Sequence, residues 1–364
     1  MKAMLNANFG KILFFSMLFA GTFNTTAQVS KKFTFSGSID AYFRQNIGGP
    51  NGSDAIAPAT SFANLNGFAL GMANLVAGYE SKKIGFVADL VFGPRGEDAV
   101  FNSPLYTPEG GSSRIVNQLY AYWNVSENIT FTLGNFNTFL GYEVISPVAN
   151  FNYSTSYMFS YGPFSHTGIK ADFQLNEELS LMLAVMNSTD FTEFNPDGKY
   201  TAGLQLGYKG QFLNVLYGKQ PSYDNTGTLI AGTEPTFQID YTGGFDLTDL
   251  FYLGLNTSYN ITDGAGFYGL ALYPQYKTSE NFSLGLRGEY FSVFGNGLDE
   301  VIGLDNEGDG HVFTATITGN YTLGNLRLKP ELRIDTASED SFLNSDLEPA
   351  KSLSSFLVAA IFSF

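Results

Sequence analysis

The chain has two histidines, His166 and His311, and no cysteine. Acid–base or nucleophilic chemistry would therefore have to run through one of those imidazoles or a pair of carboxylates. Ser165 directly precedes His166, and neighbours in an extended strand point to opposite faces, so these two cannot act as nucleophile and base without a sharp bend. Both histidines fall at the edges of loop-like segments, where a structural or solvated imidazole is the ordinary role. Asp305-Asn306-Glu307-Gly308-Asp309-Gly310 opens like a calcium loop, with oxygen side chains at alternate positions and glycine at the sharp turn. Position twelve, where a bidentate glutamate would close such a site, is Thr316. A solvated acidic loop explains the run better, so no catalytic residue, metal site or cofactor is assigned and no enzyme is expected.

The remaining titratable side chains follow a different rule. Arg327, Lys329, Glu331, Arg333 and Asp335 alternate with Leu326, Leu328, Leu332 and Ile334, and the same period-two pattern recurs at 33–44, 84–92 and 169–175. Charges sit on one parity of each run, which predicts strands with one apolar and one wet face. The wet parity collects Asp40, Arg44, Asp89, Lys170, Asp172, Asp240, Arg287, Glu289, Lys329, Glu331, Arg333 and Asp335. Both signs occur, and acids and bases are expected to pair in part across neighbouring strands.

The two chain ends say where such strands would fold. Residues 1–27 carry Lys2 and Lys11, no acids, a short apolar stretch at 12–19 and a small-residue end at Ala27. That is the pattern of a cleaved secretory signal peptide, leaving 28–364 as one domain. No later run is long and apolar enough for a helical span. The aromatic content of 16%, with 40 Gly, is high for a soluble domain and suits strands ringed by aromatics. The chain ends on an apolar strand with Phe362 and Phe364 on one parity, the closing and assembly signal of a membrane barrel.

Connections sharpen the expectation. Short polar turns near 81–83, 126–128, 176–178, 209–211, 246–249, 278–281 and 324–325 alternate with segments at 46–65, 95–114, 137–165, 188–199, 219–235, 262–265, 295–310 and 338–351. This predicts an all-β fold: a single antiparallel transmembrane β-barrel of about 16 strands, with short periplasmic turns and long extracellular loops. A secreted sandwich or jelly roll has similar strand spacing but rarely alternates its connection lengths in this way.

The stretches FTFSGSIDAYF, GFALGMANLVAGYESKKIGFVADLVFGPRG, IVNQLYAYWNV and SYMFSYGPFSHTGIKADF resemble the OmpL-like β-barrel porins of Bacteroidetes, the porin-2 family. The likeness covers nearly the whole of 28–364 and rests on strand patterns and Gly/aromatic turns. It implies an outer-membrane channel of undefined substrate and carries over no catalytic residue.

The function expected is an outer-membrane porin: a water-filled channel for passive diffusion of small hydrophilic solutes or ions, lined by the twelve wet-parity residues. Removing the leader takes the net charge from −15 to −17, and acids gather at Asp299, Glu300, Asp305, Glu307 and Asp309 and at Glu339, Asp340, Asp346 and Glu348. An acidic mouth favours cations weakly and repels nucleic acid. Two placements are open to 137–165, the longest connection, with its Phe139, Tyr142, Phe151, Tyr153, Tyr157, Phe159 and Tyr161: inside the barrel, narrowing it, or packed outside. The alternative function is a non-conducting barrel serving as adhesin or scaffold through its loops, which a lumen filled by apolar or fully paired side chains would favour. Expected partners are outer-membrane lipid, lipopolysaccharide bridged by divalent ions, the barrel assembly machinery and small solutes. Trimers are common among porins, but no self-complementary patch identifies a homo-oligomer here.

Overall fold

The computed structural model describes residues 32–100, 112–223, 229–298 and 301–364. The expected signal peptide, Asp299 and Glu300 lie outside them. Sixteen strands form one closed antiparallel barrel: β1 (Lys32–Ile47), β2 (Gly67–Glu80), β3 (Ile84–Phe92), β4 (Val116–Ser126), β5 (Ile129–Asn137), β6 (Ser165–Gln174), β7 (Leu179–Met186), β8 (Thr201–Tyr208), β9 (Gln211–Lys219), β10 (Pro235–Asp246), β11 (Phe251–Thr262), β12 (Ala265–Lys277), β13 (Phe282–Phe294), β14 (Gly310–Leu323), β15 (Leu326–Ala337) and β16 (Ser352–Ser363). Each strand pairs with the next, and β1 closes on β16 from Ser38↔Ser363 to Ile47↔Ser354. Gly37 and Phe364 exchange both backbone bonds at the seam, at 3.1 and 3.0 Å. Closure leaves no edge strand with unpaired amides, the condition for strands to cross lipid.

Period two decides which side chains meet lipid. Leu119, Leu133, Ile169, Ile317 and Leu332 point outward and are exposed towards mid-height. Trp123, Tyr208, Tyr276 and Tyr321 are exposed nearer the short turns, and Tyr217, Phe237, Tyr268 and Phe313 nearer the loops. An apolar band between two aromatic belts matches a bilayer core between its interfaces. Among the described residues no helix is long and apolar enough to cross a membrane.

Connections on the side of the termini have two to four residues. Those on the other side are longer, with one departure from expectation: β11 and β12 are joined by Asp263-Gly264 alone. Both residues have positive φ, 48° and 84°, the combination a two-residue hairpin turn needs, and glycine supplies it without a steric penalty. The longer connections pack on one another. Phe62, Ala99, Val100, Ile145, Phe159 and Phe164, from three of them, form one apolar cluster with Met72 and Val91. Helix α1 (Pro94–Ala99) starts at Gly93 with Pro94 as its first residue, a position where the missing N–H costs nothing.

Candidate permeation site

The interior is not an open bore. The connection 138–164 enters the barrel, reverses near 147–150 and leaves through the short helix α2 (Tyr157–Tyr161). Its depth can be read along β15. Arg327, near the turn end, donates to the Val148 carbonyl at 2.7 Å, and Lys329 donates to the carbonyls of Pro147, at 2.9 Å, and Asn150. Glu331 then accepts the amides of Tyr153 and Ser154 at 2.5 and 3.1 Å, and Arg333 donates to the Thr155 carbonyl at 2.9 Å. Six residues of strand separate Arg327 from Arg333, about 20 Å at 3.3 Å per residue, which at a strand tilt of about 40° is about 15 Å of depth, or roughly half a bilayer core.

Wall charges neutralise the polar groups that an irregular backbone would otherwise leave unpaired. Glu289 accepts the amides of Tyr157 and Met158, the first two of α2, at 2.9 and 2.8 Å. Arg287 reaches Glu143 of the insert at 2.7 Å, the Ser154 carbonyl at 2.7 Å and Thr316 at 3.1 Å. Glu143 also holds Ser156, the N-cap of α2, by its amide and hydroxyl, both at 2.7 Å. Asp240 accepts Gly141 N at 2.9 Å together with Asn214 and Asn256, and Asp40 accepts the Tyr153 hydroxyl at 2.5 Å.

All twelve wet-parity residues point to the inner side of the wall, opposite the lipid-facing parity. Asp89 lies away from the insert and is held by three amides, Asn74, Asn117 and Gln118. Arg44 donates to Asn46 at 2.8 Å and to the Ile56 carbonyl at 3.2 Å. The expected pairing across neighbouring strands is not what forms. Lys170–Asp172, at 2.9 Å, and Arg333–Asp335, at 2.7 Å, pair along their own strands, and Arg287 pairs with the insert. Residues two apart on a strand share a face, and a long guanidinium or ammonium stem reaches that far.

Two participants escape a reading by parity, and a third shares it. Arg95, on α1, donates to the carbonyls of Ile145, at 2.8 Å, and Tyr153, at 3.1 Å, with its guanidinium 4.3 Å from the Phe62 ring centroid. Glu143 lies in a connection where no period applies. The third is Arg327, which carries the same parity as Lys329.

The insert's aromatics complete the filling. Tyr142 stacks on Tyr273 at 4.2 Å and Tyr157 on Phe291 at 5.5 Å, while Phe151 lies over Gly285, where any side chain would collide with it. A cavity of about 10 Å3 between Arg44, Ser154, Glu331 and Arg333 has room for about one water. Filling is uneven, however. Around β8–β16 the inner residues are mostly buried, whereas on β2–β7 towards the turn end Glu80, Tyr120, Tyr122, Asn124, Lys170 and Asp172 are only half-buried.

His166 is fully buried, its Nε2 3.0 Å from Thr138 Oγ1 and its ring 5.2 Å from Phe139, the setting of a packing residue. The Asp305 loop is held by its own backbone. The Asp305 carboxylate accepts the amides of Glu307 and Asp309 at 2.8 and 3.0 Å, which lower its pKa, and Gly308 turns at φ 82°.

A family model described as "Putative beta-barrel porin-2, OmpL-like" matches residues 32–364. The chain belongs to this family. The OmpL-like barrel is thus an outer-membrane protein of the porin type. Solved structures share its fold: an anion-selective porin from Comamonas acidovorans at 9% identity and TM-score 0.58, covering 92% of this chain and 100% of that one. The outer membrane channel DcaP of Acinetobacter baumannii aligns at 14% identity and TM-score 0.56, covering 92% and 97%. OmpT of Vibrio cholerae in its trimer form aligns at 12% and 0.54, covering 92% and 100%. Such identities speak for the OmpL-like fold alone. Among curated proteins none matches the chain.

Proposed function

We propose that this OmpL-like barrel is a low-conductance outer-membrane channel for small hydrophilic solutes or ions. Its water path opens at the turn end of the β2–β7 arc and narrows towards the loop end, where Val91, Phe136, His166 and Met186 are buried, with the 138–164 insert filling the rest of the bore. The observation that carries this reading is the contrast between the two arcs at the turn end: half-buried polar side chains on one, buried and hydrogen-bonded charges on the other. Of the twelve wet-parity residues, Lys170 and Asp172 are only half-buried, which supports a role for them in meeting solute. The others hold the insert or brace the wall. Family membership favours passive passage over catalysis.

Acidic side chains in the outer connections, including Asp305, Glu307, Glu339 and Glu348, favour cations at the mouth. Lipopolysaccharide bridged to them by divalent ions, delivery by the barrel assembly machinery and assembly into homo-oligomers belong to the same reading. The trimeric form of OmpT supports the last only by shared fold.

Planar-bilayer recordings of the full barrel and of a variant with 141–160 replaced by a short Gly/Ser link test it. Small steps from the full barrel, much larger steps from the variant and a cation-favouring reversal potential are expected. The second reading, a non-conducting barrel that displays its loops, is favoured by the hydrogen-bonded filling of the β8–β16 arc. A silent full barrel beside a conducting variant would establish that reading and overturn the first.

A further inference from the structure

The half-buried arc has a chemistry of its own. Register places Glu80 opposite Gly85, Gly85 opposite Tyr122, Tyr122 opposite Thr132 and Thr132 opposite Lys170, so the five form one row across β2–β6. Directly opposite residues of antiparallel strands share a face, and all five belong to the inner one. Tyr122 lies flat on the wall: a Cβ on Gly85 would come within 2.2 Å of its Cζ and Oη, so only glycine leaves room for the ring. The end of the ring covers the Gly85 backbone, and Tyr122 is only half-buried on the inner side of the wall.

Four strand spacings separate Glu80 from Lys170, about 19 Å, with the Tyr122 backbone midway and its ring tip over Gly85, on the Glu80 side. Each charged side chain extends several ångströms towards the centre, which leaves a span suited to one or two sugar rings. Asp172, one step further along β6, is paired with Lys170 at 2.9 Å and retains unused lone pairs. The row thus offers an aromatic face flanked on both sides by groups that donate and accept hydrogen bonds, with the Lys170 and Asp172 charges paired and Glu80 acidic. That is the complement of a pyranose, which has an apolar C–H face and a rim of hydroxyls. A strongly charged solute would gain little from the paired Lys170 and Asp172.

We propose that the turn-side cleft along β2–β6 is a binding site for a mono- or disaccharide-sized hydroxylated ring, with Tyr122 as stacking platform and Glu80, Lys170 and Asp172 gripping its hydroxyls. The proposal rests on the channel reading only for the route by which the sugar arrives.

Saturation-transfer NMR with maltose and the folded full barrel in detergent tests the site directly. Transfer onto the pyranose C–H protons is expected, lost in Tyr122→Ala, kept in Tyr122→Phe, and weakened at least about tenfold in Lys170→Met, which removes an ammonium donor. Heat-modifiable gel mobility checks that each variant is folded. Equal transfer in wild type and Tyr122→Ala, or none in the wild type, would overturn the site. Bilayer recordings on the same preparations separate the two claims: conduction without transfer leaves the channel and sinks the cleft, whereas transfer in a silent barrel does the reverse.

Discussion

Glu143 Oε1 lies 2.7 Å from Arg287 Nη1, joining the insert to the wall through an ion pair buried on both sides. Removing one member of such a pair leaves an uncompensated charge in a dry site, typically a loss of about 3–5 kcal/mol. Glu143→Ala should therefore loosen the insert while the ladder bonds of the barrel stay intact. Bilayer recordings of that variant are expected to show more frequent or larger openings than wild type. An unchanged record would mean that the insert is held without the pair.

Arg95 ties a second connection to the insert through two carbonyls and the face of Phe62. Lysine cannot reproduce that planar, two-pronged grip. Arg95→Lys should speed proteolytic cleavage within 138–164 in folded barrels compared with wild type, and Arg95→Ala should do so further. Equal cleavage rates in all three would remove Arg95 from the clasp.

Asp190 sits in the β7–β8 connection with its Oδ1 accepting the amides of Phe164 and Ser165 at 2.7 and 2.8 Å. Burial outweighs those bonds and raises its carboxyl to about 6. A raised acid contributes stability that is fully present below the unfolded value of 3.8 and is lost as pH rises through about 6. The amide oxygen of asparagine can accept both bonds without a buried charge. Asp190→Asn should raise the thermal transition in detergent at pH 8 and give a smaller gain at pH 5. A gain that grows towards acid pH would contradict this assignment.

Phe364 closes the seam by its backbone to Gly37 and by its ring against Phe35, 6.0 Å between centroids. Deleting it removes both contacts and the terminal aromatic. The amount of heat-modifiable barrel recovered from outer membranes should fall severalfold. Full recovery would show that Phe362 suffices as the assembly signal.

Period two made most of the wall legible. The alternation from Leu326 to Asp335 sorts lipid-facing from inward side chains without any tertiary information, because a strand offers only two faces. Turn chemistry gave the strand count, although Asp263-Gly264 shows that a connection's position in the alternation does not set its length. The destination of Glu143 or Tyr153 is different in kind. It depends on the volume the closed barrel leaves empty and on partners such as Arg287 and Glu331, more than a hundred residues away, and no local pattern encodes either. Arg95 illustrates the same limit, since its partners belong to a connection of irregular backbone.

The insert occupies the first half of the chain, yet most of the wall that grips it comes later: Asp240, Arg287, Glu289, Glu331 and Arg333 follow their partners in Gly141 to Tyr157 by roughly 100 to 180 residues. Contacts of such separation form late and slowly. The insert therefore gains most of its partners only as the last strands join, in the same stage that shuts the β1–β16 seam. Filling and closure of the barrel become one event rather than two. A chain whose insert strays outward would meet its final seam with Glu289 and Glu331 facing an empty bore.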